Sequence, residues 1–374
     1  MTALPYLLVG VCAFAITYLS TPLVRRLSLR LGFIVQPSDR KVHAHPTPTL
    51  GGTAIFVGIV GAGAIAAFLP YGDFRELFSS SSEPLGLAAG GLIIFTLGVV
   101  DDLRDLPAPV KLAGQVFAAG VVYLAGVQMQ FILLPRQVIS LGPDVSVLVT
   151  VLWLVAIVNA VNLVDGLDGL AAGIVAIAAS AFFVYTYRLE AADVYAVRPM
   201  APLVAIILVG VTLGFLRHNF HPASIFMGDS GAMLLGLALG AATVSGVGSV
   251  QSELGASTSA VFLSYFPLLI PLAVLALPII DAVLAIVRRA RHLRSVFRAD
   301  KQHIHHRLMD MGHGHRQAVI VMYVWSALAA GAGLAFSFLD RKDVIFALPI
   351  AVVAIVLYTL FPVLTRLINE QGGT

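Results

Sequence analysis

The chain has 374 residues, of which 59% are hydrophobic and only 11% are charged, and its mean hydropathy is +0.93. Soluble globular domains carry about 25% charged residues, so this composition excludes an ordinary soluble protein. The net charge of +3 is too small to indicate a nucleic-acid partner. The single cysteine, Cys12, excludes an intrachain disulfide. We therefore expect an integral membrane protein.

Long apolar runs predict the membrane-spanning helices, because roughly 20 apolar residues cross the hydrocarbon core of a bilayer. The first run is not a secretory signal, since its positive charges, Arg25 and Arg26, follow the apolar part instead of preceding it. We predict an all-α polytopic protein with one membrane domain over residues 1–374 and a β-hairpin within 128–147. The eleven predicted spans lie near residues 4–24, 50–70, 85–100, 109–127, 147–164, 167–187, 201–217, 231–248, 259–287, 318–338 and 344–364.

The distribution of lysine and arginine predicts the orientation of these spans. With residue 1 outside, the inner segments hold 17 of the 23 positive side chains, as the positive-inside rule requires. The N-terminus is therefore expected outside and the C-terminus in the cytoplasm. The inner segments are 25–49, 101–111, 217–230, 288–317 and the residues after the last span.

Four polar segments lie at the inner ends of the apolar runs: 101–105, 159–169, 219–229 and 300–306. Ionisable side chains inside membrane segments are energetically unfavourable and usually functional. Carboxylates, carboxamides and imidazoles in one place indicate a site for a divalent cation and phosphate groups. We expect the four segments to contribute to one such site.

The first segment contains Asp101, Asp102 and Asp105, which share one side of a helical continuation. Carboxylates this close repel one another unless a cation or a proton intervenes. The alternative is a solvated loop in which Arg104 is their partner.

The second segment has a polar side chain at every third position, namely Asn159, Asn162, Asp165 and Asp168. In a regular α-helix this spacing drifts by about 60° per step, which would spread the four around half the helix. Gly166 and Gly169 predict a break that lets them converge. The alternative, a helix end capped by one aspartate, leaves the other three unexplained.

Asp229 lies in a Gly-Asp-Ser-Gly sequence at 228–231 that resembles the nucleophile motif of chymotrypsin-like proteases. That match is rejected because the protease motif belongs to a β-barrel and this chain is predicted to be helical. Two interpretations stay open for Asp229: a cap at the start of a helix, and an oxygen ligand for Mg²⁺, which usually takes one or two carboxylates together with water and substrate phosphates.

Basic and imidazole side chains predict anion binding on the same side. His303, His305 and His306 form a weak zinc pattern and fit better as groups that hold a diphosphate, although topology alone explains many of the charges of 288–317. The proline-rich basic segment 39–52 and Lys111 are candidates for binding a lipid head group or nucleotide phosphates.

Taken in order, these motifs resemble the polyprenyl-phosphate N-acetylhexosamine-1-phosphate transferase family. The matching segments are Pro-Thr-Leu-Gly-Gly at 48–52, Asp-Asp at 101–102, Asn-Ala-Val-Asn-Leu-Val-Asp-Gly-Leu-Asp-Gly at 159–169, Phe-Met-Gly-Asp-Ser-Gly at 226–231 and His-Ile-His-His at 303–306. The details around Asp105 and 300–308 are similar to the branch that transfers GlcNAc-1-phosphate, and differ from the branch that uses UDP-MurNAc-pentapeptide.

The resemblance implies a bacterial cytoplasmic-membrane enzyme that joins UDP-GlcNAc to undecaprenyl phosphate and releases UMP. It implies a dependence on Mg²⁺, with Mn²⁺ as an alternative, and family members often form homodimers. Another UDP-N-acetylhexosamine or UDP-MurNAc-pentapeptide is the alternative donor. An ion-coupled transporter is the alternative class, but only Asp281 is a candidate for the bilayer midplane where transporter sites lie.

The resemblance also implies roles for single residues. Asp229 and Asp102 match metal-site residues, and Asp101 and Asp102 match the pair that orients or deprotonates the lipid phosphate. Asp168 and Phe226 match uracil contacts, and Asn219 matches a nucleotide-sugar contact. The remaining predicted substrate-binding residues are Lys111, Asn159, Asn162, Asp165, Arg288, Arg289, His303, His305 and His306.

Overall fold

The computed structural model describes residues 3–36, 46–134, 137–192, 200–248, 268–276, 279–280, 308, 311–339 and 341–372. Most of these residues are helical, and 268–276 are helical as well. In chain order the helices are α1 (Leu4–Leu31), α2 (Gly52–Phe68), α3 (Gly72–Ser80), α4 (Glu83–Arg104), α5 (Ala108–Leu124), α6 (Pro143–Val164), α7 (Leu170–Ala191), α8 (Ala201–Asn219), α9 (Gly228–Gly248), α10 (His315–Phe338) and α11 (Arg341–Gly372).

Eight of these helices are long and apolar enough to cross a membrane, and α2 and α5 are shorter apolar helices. Each coincides with one of the predicted apolar runs, so the prediction of an all-α polytopic membrane protein is confirmed. The run 259–287 is described only in part. Helix α3 was not predicted, because its nine residues are amphipathic and too short to span.

Proline and left-handed residues mark many of the helix boundaries. Proline occupies the first turn of α1, α4, α5, α6 and α8, where its fixed φ suits a helix start and its missing N–H is not needed. Helix α1 ends at Gly32 with φ 75° and α4 ends at Asp105 with φ 50°. The break predicted between α6 and α7 is present at 165–169, where Gly169 has φ 81°.

Helix α9 lies at the centre of the bundle and is enclosed along its apolar length. It packs against α2, α4, α6 and α8, whereas α1 and α7 pack against α8 from the other side. Helix α11 lies at the periphery, with most of its apolar surface exposed. The core is therefore built around the helix that begins next to Asp229.

Small residues allow α1 and α8 to approach closely, as is common between membrane helices. A Cβ atom at Gly210 would collide with the carbonyl oxygen of Gly10 and lie 2.7 Å from the Cβ of Ala13. A Cβ atom at Gly214 would lie 2.6 Å from the carbonyl oxygen of Phe14. Two glycines one helical turn apart thus set the distance between these helices.

Two short antiparallel hairpins complete the described fold. Strands β1 (Ile34–Val35) and β2 (Thr47–Pro48) pair just before α2. Strands β3 (Phe131–Leu134) and β4 (Gln137–Ser140) form the hairpin predicted within 128–147, which is confirmed. In the predicted anion-binding segment 39–52, residues 39–45 lie outside the described residues, and the rest forms β2 and the start of α2.

We predict opposite effects for two glycine-to-alanine substitutions in helices. Gly210→Ala should destabilise the protein by about 1–3 kcal/mol, because the added methyl group meets the backbone of α1. Gly120→Ala in α5 should be neutral or stabilising by up to about 1 kcal/mol, since no atom lies within 4 Å of its Cβ position. Thermal unfolding midpoints of the detergent-solubilised variants measure both. A Gly210→Ala variant as stable as the parent would contradict the packing.

Candidate active site

The start of α9 is held by the side chain of Asp102, which comes from the last turn of α4. Its Oδ1 accepts a hydrogen bond from the Asp229 amide at 2.7 Å. Its Oδ2 accepts one from the Ser230 amide at 3.2 Å and another from Ser230 Oγ at 2.7 Å. A carboxylate at a helix N-terminus satisfies amides that have no partner within the helix and faces the positive end of its dipole. Asp102 therefore fixes the position of Asp229.

Glycines permit this close approach of α4 to α9. Gly228 has φ 73°, and a Cβ atom there would lie 2.5 Å from the Oδ2 atom of Asp102. A Cβ atom at Gly98 would collide with the backbone of Ser230. Any larger side chain at either position would push the Asp102 carboxylate away from the amides that it binds.

Asp101, Lys111 and Asp229 form a charged triad beside this junction. The Lys111 ammonium contacts the Asp101 carboxylate directly and lies 3.2 Å from the Oδ2 atom of Asp229. Asp101 also accepts a hydrogen bond from the Leu106 amide at 2.7 Å. The Asp101 side chain is 1% exposed, whereas that of Asp229 is 32% exposed. Of the two carboxylates that share Lys111, Asp229 is the one that solvent and a ligand can reach.

The two asparagines of α6 differ in their hydrogen bonding. Asn159 Nδ2 donates to Gln115 Oε1 at 2.7 Å and to the Val155 carbonyl at 2.8 Å. Gln115 is buried on α5 and was not singled out from the sequence, because one glutamine in an apolar run carries no distinctive signal. Asn162 differs, since its Oδ1 is buried and has no hydrogen-bond partner among the described residues.

The turn between α6 and α7 carries the other two acidic residues of the second segment. The carboxyl group of Asp165 is enclosed although part of the residue is exposed. Burial, followed by the negative charges of Asp229, Asp102 and Asp168, raises the pKa of Asp165 to about 8. Asp165 is therefore mostly protonated at neutral pH in the ligand-free protein, which reduces the negative charge of the site.

Asp168 is bonded to the loop that follows α8. Its Oδ2 lies 2.7 Å from His221 Nδ1 and accepts the Ala223 amide at 3.1 Å. Both hydrogen bonds end on the same oxygen, so Oδ1 has capacity for another donor. His221 was not predicted as a site residue, because a single histidine in a loop has many structural explanations.

Asn219 joins two loops of the site. Its Oδ1 accepts the Gly169 amide and its Nδ2 donates to the Ile225 carbonyl, both at 3.0 Å. Its side chain is buried. The carboxamide therefore holds the 165–169 turn against the 220–227 loop.

The 226–227 backbone pairs with the Pro-Thr-Leu-Gly-Gly segment. The Phe226 amide donates to the Pro48 carbonyl at 2.9 Å, and the Phe226 and Met227 carbonyls accept the Gly51 and Gly52 amides at 2.9 and 2.8 Å. This part of the sequence motif stabilises the loop that leads to Asp229. The Phe226 side chain stays partly exposed.

The structure links seven of the described residues that the sequence predicted for the site. Direct bonds or the loop contacts above join Asp101, Asp102, Lys111, Asp168, Asn219, Phe226 and Asp229.

Three further predicted residues belong to the same segment as Asp168, without a described contact to the seven: Asn159, Asn162 and Asp165. The other predicted residues, Arg288, Arg289, His303, His305 and His306, lie outside the described residues. Five carboxyl groups therefore meet one lysine in the described part of the site, and this imbalance favours a bound cation.

We predict that Asp102→Asn destabilises the ligand-free protein by about 1–3 kcal/mol. The side-chain NH₂ group of asparagine is a donor, and it would replace one of the two carboxylate oxygens that accept hydrogen bonds from the start of α9. Asp105→Asn is the matched control: Asp105 is exposed at the end of α4, and asparagine tolerates its left-handed conformation. Thermal unfolding midpoints in detergent compare the two variants. Equal midpoints for Asp102→Asn and the parent would contradict the anchoring contact.

Comparison with known proteins identifies the family. The glycosyl transferase family 4 model matches residues 84–247, which run from the start of α4 almost to the end of α9. The decaprenyl-phosphate N-acetylglucosaminephosphotransferase of Mycolicibacterium smegmatis is 42% identical over 366 residues, covering 96% of this chain and 89% of that protein. Its namesake from Mycobacterium tuberculosis is 43% identical with the same coverage.

A more distant relative gives the same result. The probable undecaprenyl-phosphate N-acetylglucosaminyl 1-phosphate transferase of Bacillus subtilis is 35% identical over 367 residues, which cover 96% of this chain and 93% of that protein. Similarity at this level extends over nearly the whole chain. The chain belongs to the polyprenyl-phosphate N-acetylhexosamine-1-phosphate transferase family, within glycosyl transferase family 4.

Proposed function

We propose that this enzyme transfers GlcNAc-1-phosphate from UDP-GlcNAc to a polyprenyl phosphate, undecaprenyl phosphate in our prediction, and releases UMP. The names of its relatives support this reaction. The observation that carries it is the position of Asp229: a reachable carboxylate at the head of a buried helix, held by Asp102 and paired with Lys111. This combination of positive and negative groups at one helix end supports the proposal that two phosphorylated substrates meet there.

The donor set around Asp229 fits a Mg²⁺ ion, with Mn²⁺ as an alternative. Mg²⁺ binds oxygen ligands and commonly keeps several waters beside one or two carboxylates. Asp229 offers a partly exposed carboxylate for this purpose. When bound, such an ion polarises the donor diphosphate and offsets negative charge.

The hydrogen bonds of Asp102 favour an anchoring role over the metal-binding role expected from the resemblance. A carboxylate has about four lone-pair sites, and three of those of Asp102 already accept donors from the start of α9. We propose that Asp229 holds the ion and that Asp102 keeps Asp229 in place. Asp102 is then a positioning residue.

Lys111 and Asp101 are proposed to handle the negative charge of the acceptor. A phosphate monoester loses its second proton with a pKa near 6, so the lipid phosphate is mostly dianionic at neutral pH and needs no strong base. Its oxygen attacks the β-phosphorus of UDP-GlcNAc, the bond from that phosphorus to the bridging oxygen of UMP breaks, and UMP leaves. Lys111 is 25% exposed and provides a positive charge beside this path, while the buried Asp101 orients it.

The uridine is proposed to bind between Asp168 and Phe226. The free capacity of Asp168 Oδ1 suits the N–H of a uracil ring, and the partly exposed Phe226 ring suits stacking. The Asn219 side chain bonds to two protein loops. It is therefore proposed to support nucleotide-sugar binding by holding the loops that form this pocket. Direct contact with the sugar remains a prediction for the histidine segment 303–306.

The chain is a multi-pass bacterial membrane protein. We propose eleven spans, the N-terminus outside, the C-terminus in the cytoplasm and the active site on the cytoplasmic side of the inner membrane. The uneven distribution of lysine and arginine supports this orientation, and cytoplasmic UDP-sugars require it. Homodimer formation stays a prediction.

The purified full-length enzyme should release UMP from UDP-GlcNAc when undecaprenyl phosphate and Mg²⁺ are present. Release should stop when the lipid phosphate is omitted or EDTA is added, because the acceptor and the ion are both needed. A parallel series with UDP-GalNAc and UDP-MurNAc-pentapeptide, and with decaprenyl phosphate, measures the donor and acceptor preferences. Faster release from UDP-MurNAc-pentapeptide than from UDP-GlcNAc would contradict the proposed donor, and no release from any donor would contradict the reaction.

Asp229→Asn should lower the rate of UMP release by about 10²–10³-fold, the scale of losing one preorganised electrostatic contact. It should also abolish the increase in thermal midpoint that Mg²⁺ gives the parent. Asp144→Asn, the same change on the exposed first turn of α6, is the control and should leave both quantities unchanged. Normal turnover by Asp229→Asn would remove Asp229 from the metal site.

A further inference from the structure

Two histidines and one carboxylate form a cluster outside the charged triad. Asp168 comes from the turn between α6 and α7, His221 from the loop after α8, and His315 is the first residue of α10. Each side chain offers a potential ligand atom, and the three atoms lie within 4.8 Å of one another. Only Asp168 has a role in the transfer reaction described above.

Contacts within the protein hold the cluster in place before any ligand binds. His221 Nδ1 is 2.7 Å from Asp168 Oδ2, and the rings of His221 and His315 stack with centroids 4.0 Å apart and an interplanar angle of 19°. Arg316 Nε donates to the His221 carbonyl at 2.8 Å, which ties the loop to the start of α10. Three separate segments are therefore joined at this point.

Two imidazole nitrogens in the cluster are available to a ligand. His315 Nε2 is buried and has no hydrogen-bond partner among the described residues, an unfavourable state for a polar atom that a ligand would relieve. His221 Nδ1 and Asp168 Oδ2 lie 2.7 Å apart, and a metal ion that replaces the proton between them gains both atoms as ligands while Asp168 Oδ1 keeps its capacity for another donor. Neutral imidazole nitrogens are the commonest metal ligands in proteins.

We propose that Asp168, His221 and His315 bind a transition-metal dication of the Zn²⁺ class, at a site distinct from the oxygen-ligand site at Asp229. Two histidines and a carboxylate form a donor set typical of Zn²⁺ and Fe²⁺, whereas Mg²⁺ prefers oxygen ligands alone. With metal–ligand bonds of about 2.0–2.2 Å, two ligands lie at most about 4.4 Å apart across the ion. At a tetrahedral ion two ligand atoms lie about 3.4 Å apart, so separations of up to 4.8 Å have to shorten by roughly 1–1.5 Å to close the cluster on an ion.

Cobalt binding to the full-length chain tests this site. After removal of metals with EDTA, the detergent-solubilised protein is titrated with Co²⁺ and its visible absorption is recorded. We expect one Co²⁺ per chain, and we expect His315→Gln and His221→Gln each to weaken binding by at least about tenfold. His218→Gln is the matched control, since His218 lies on α8 against the Tyr18 carbonyl, and should bind Co²⁺ like the parent.

Further variants separate this site from the others. Asp229→Asn should retain Co²⁺ binding, so the result does not depend on the transferase assignment. Zn²⁺ should raise the thermal midpoint of the parent more than that of His315→Gln, because the ion joins three segments. Metal-free midpoints of all variants establish that they fold. Absence of saturable Co²⁺ binding would overturn the proposal. Equal Co²⁺ binding by the parent, His315→Gln and His221→Gln would overturn it as well. The same holds if Co²⁺ binding is lost only when His303, His305 and His306 are replaced together by glutamine.

Discussion

The hydrogen bonds between Asp102 and the first amides of α9 are the contact on which the rest of the site depends. Helix α9 is enclosed along its apolar length, and its first amides have no partner within the helix. The Asp102 side chain satisfies them and holds the C-terminal end of α4 against the N-terminal end of α9. The same contact determines where Asp229 points and, through Asp229, where Lys111 and Asp101 meet.

The structure divides the acidic residues by their surroundings, although they are chemically alike. Asp102 is occupied by backbone and hydroxyl donors, and Asp101 is buried against Lys111. Asp165 is mostly protonated because burial and, second, its negative neighbours raise its pKa. Asp229 keeps an exposed face and Asp168 keeps one oxygen free. Five carboxyl groups can therefore lie in one part of a membrane protein, because each is stabilised differently: by hydrogen bonds, an ion pair, protonation or contact with solvent.

The fold was largely predictable from the sequence because a membrane span requires a long apolar run, and such runs are visible without knowledge of tertiary contacts. The break between Asn159 and Asp168 was predictable as well, since Gly166 and Gly169 indicated it. The partners of these residues were not. Gln115 and His221 are single polar residues whose importance comes only from which distant atom they face. Asn219 was expected to contact substrate, but its carboxamide bonds with two protein loops, a distinction that spacing along the chain does not encode.

The close approach permitted by Gly98 and Gly228 has a consequence for inhibitors of this enzyme. Near the head of α9 the two helices lie so close that neither glycine position has room for a side chain. A compound that fits against this junction would meet few tolerated changes at these two positions, because a bulkier residue at either glycine would separate α4 from α9. Escape variants should therefore arise in the surrounding loops, where side chains form the contact surface.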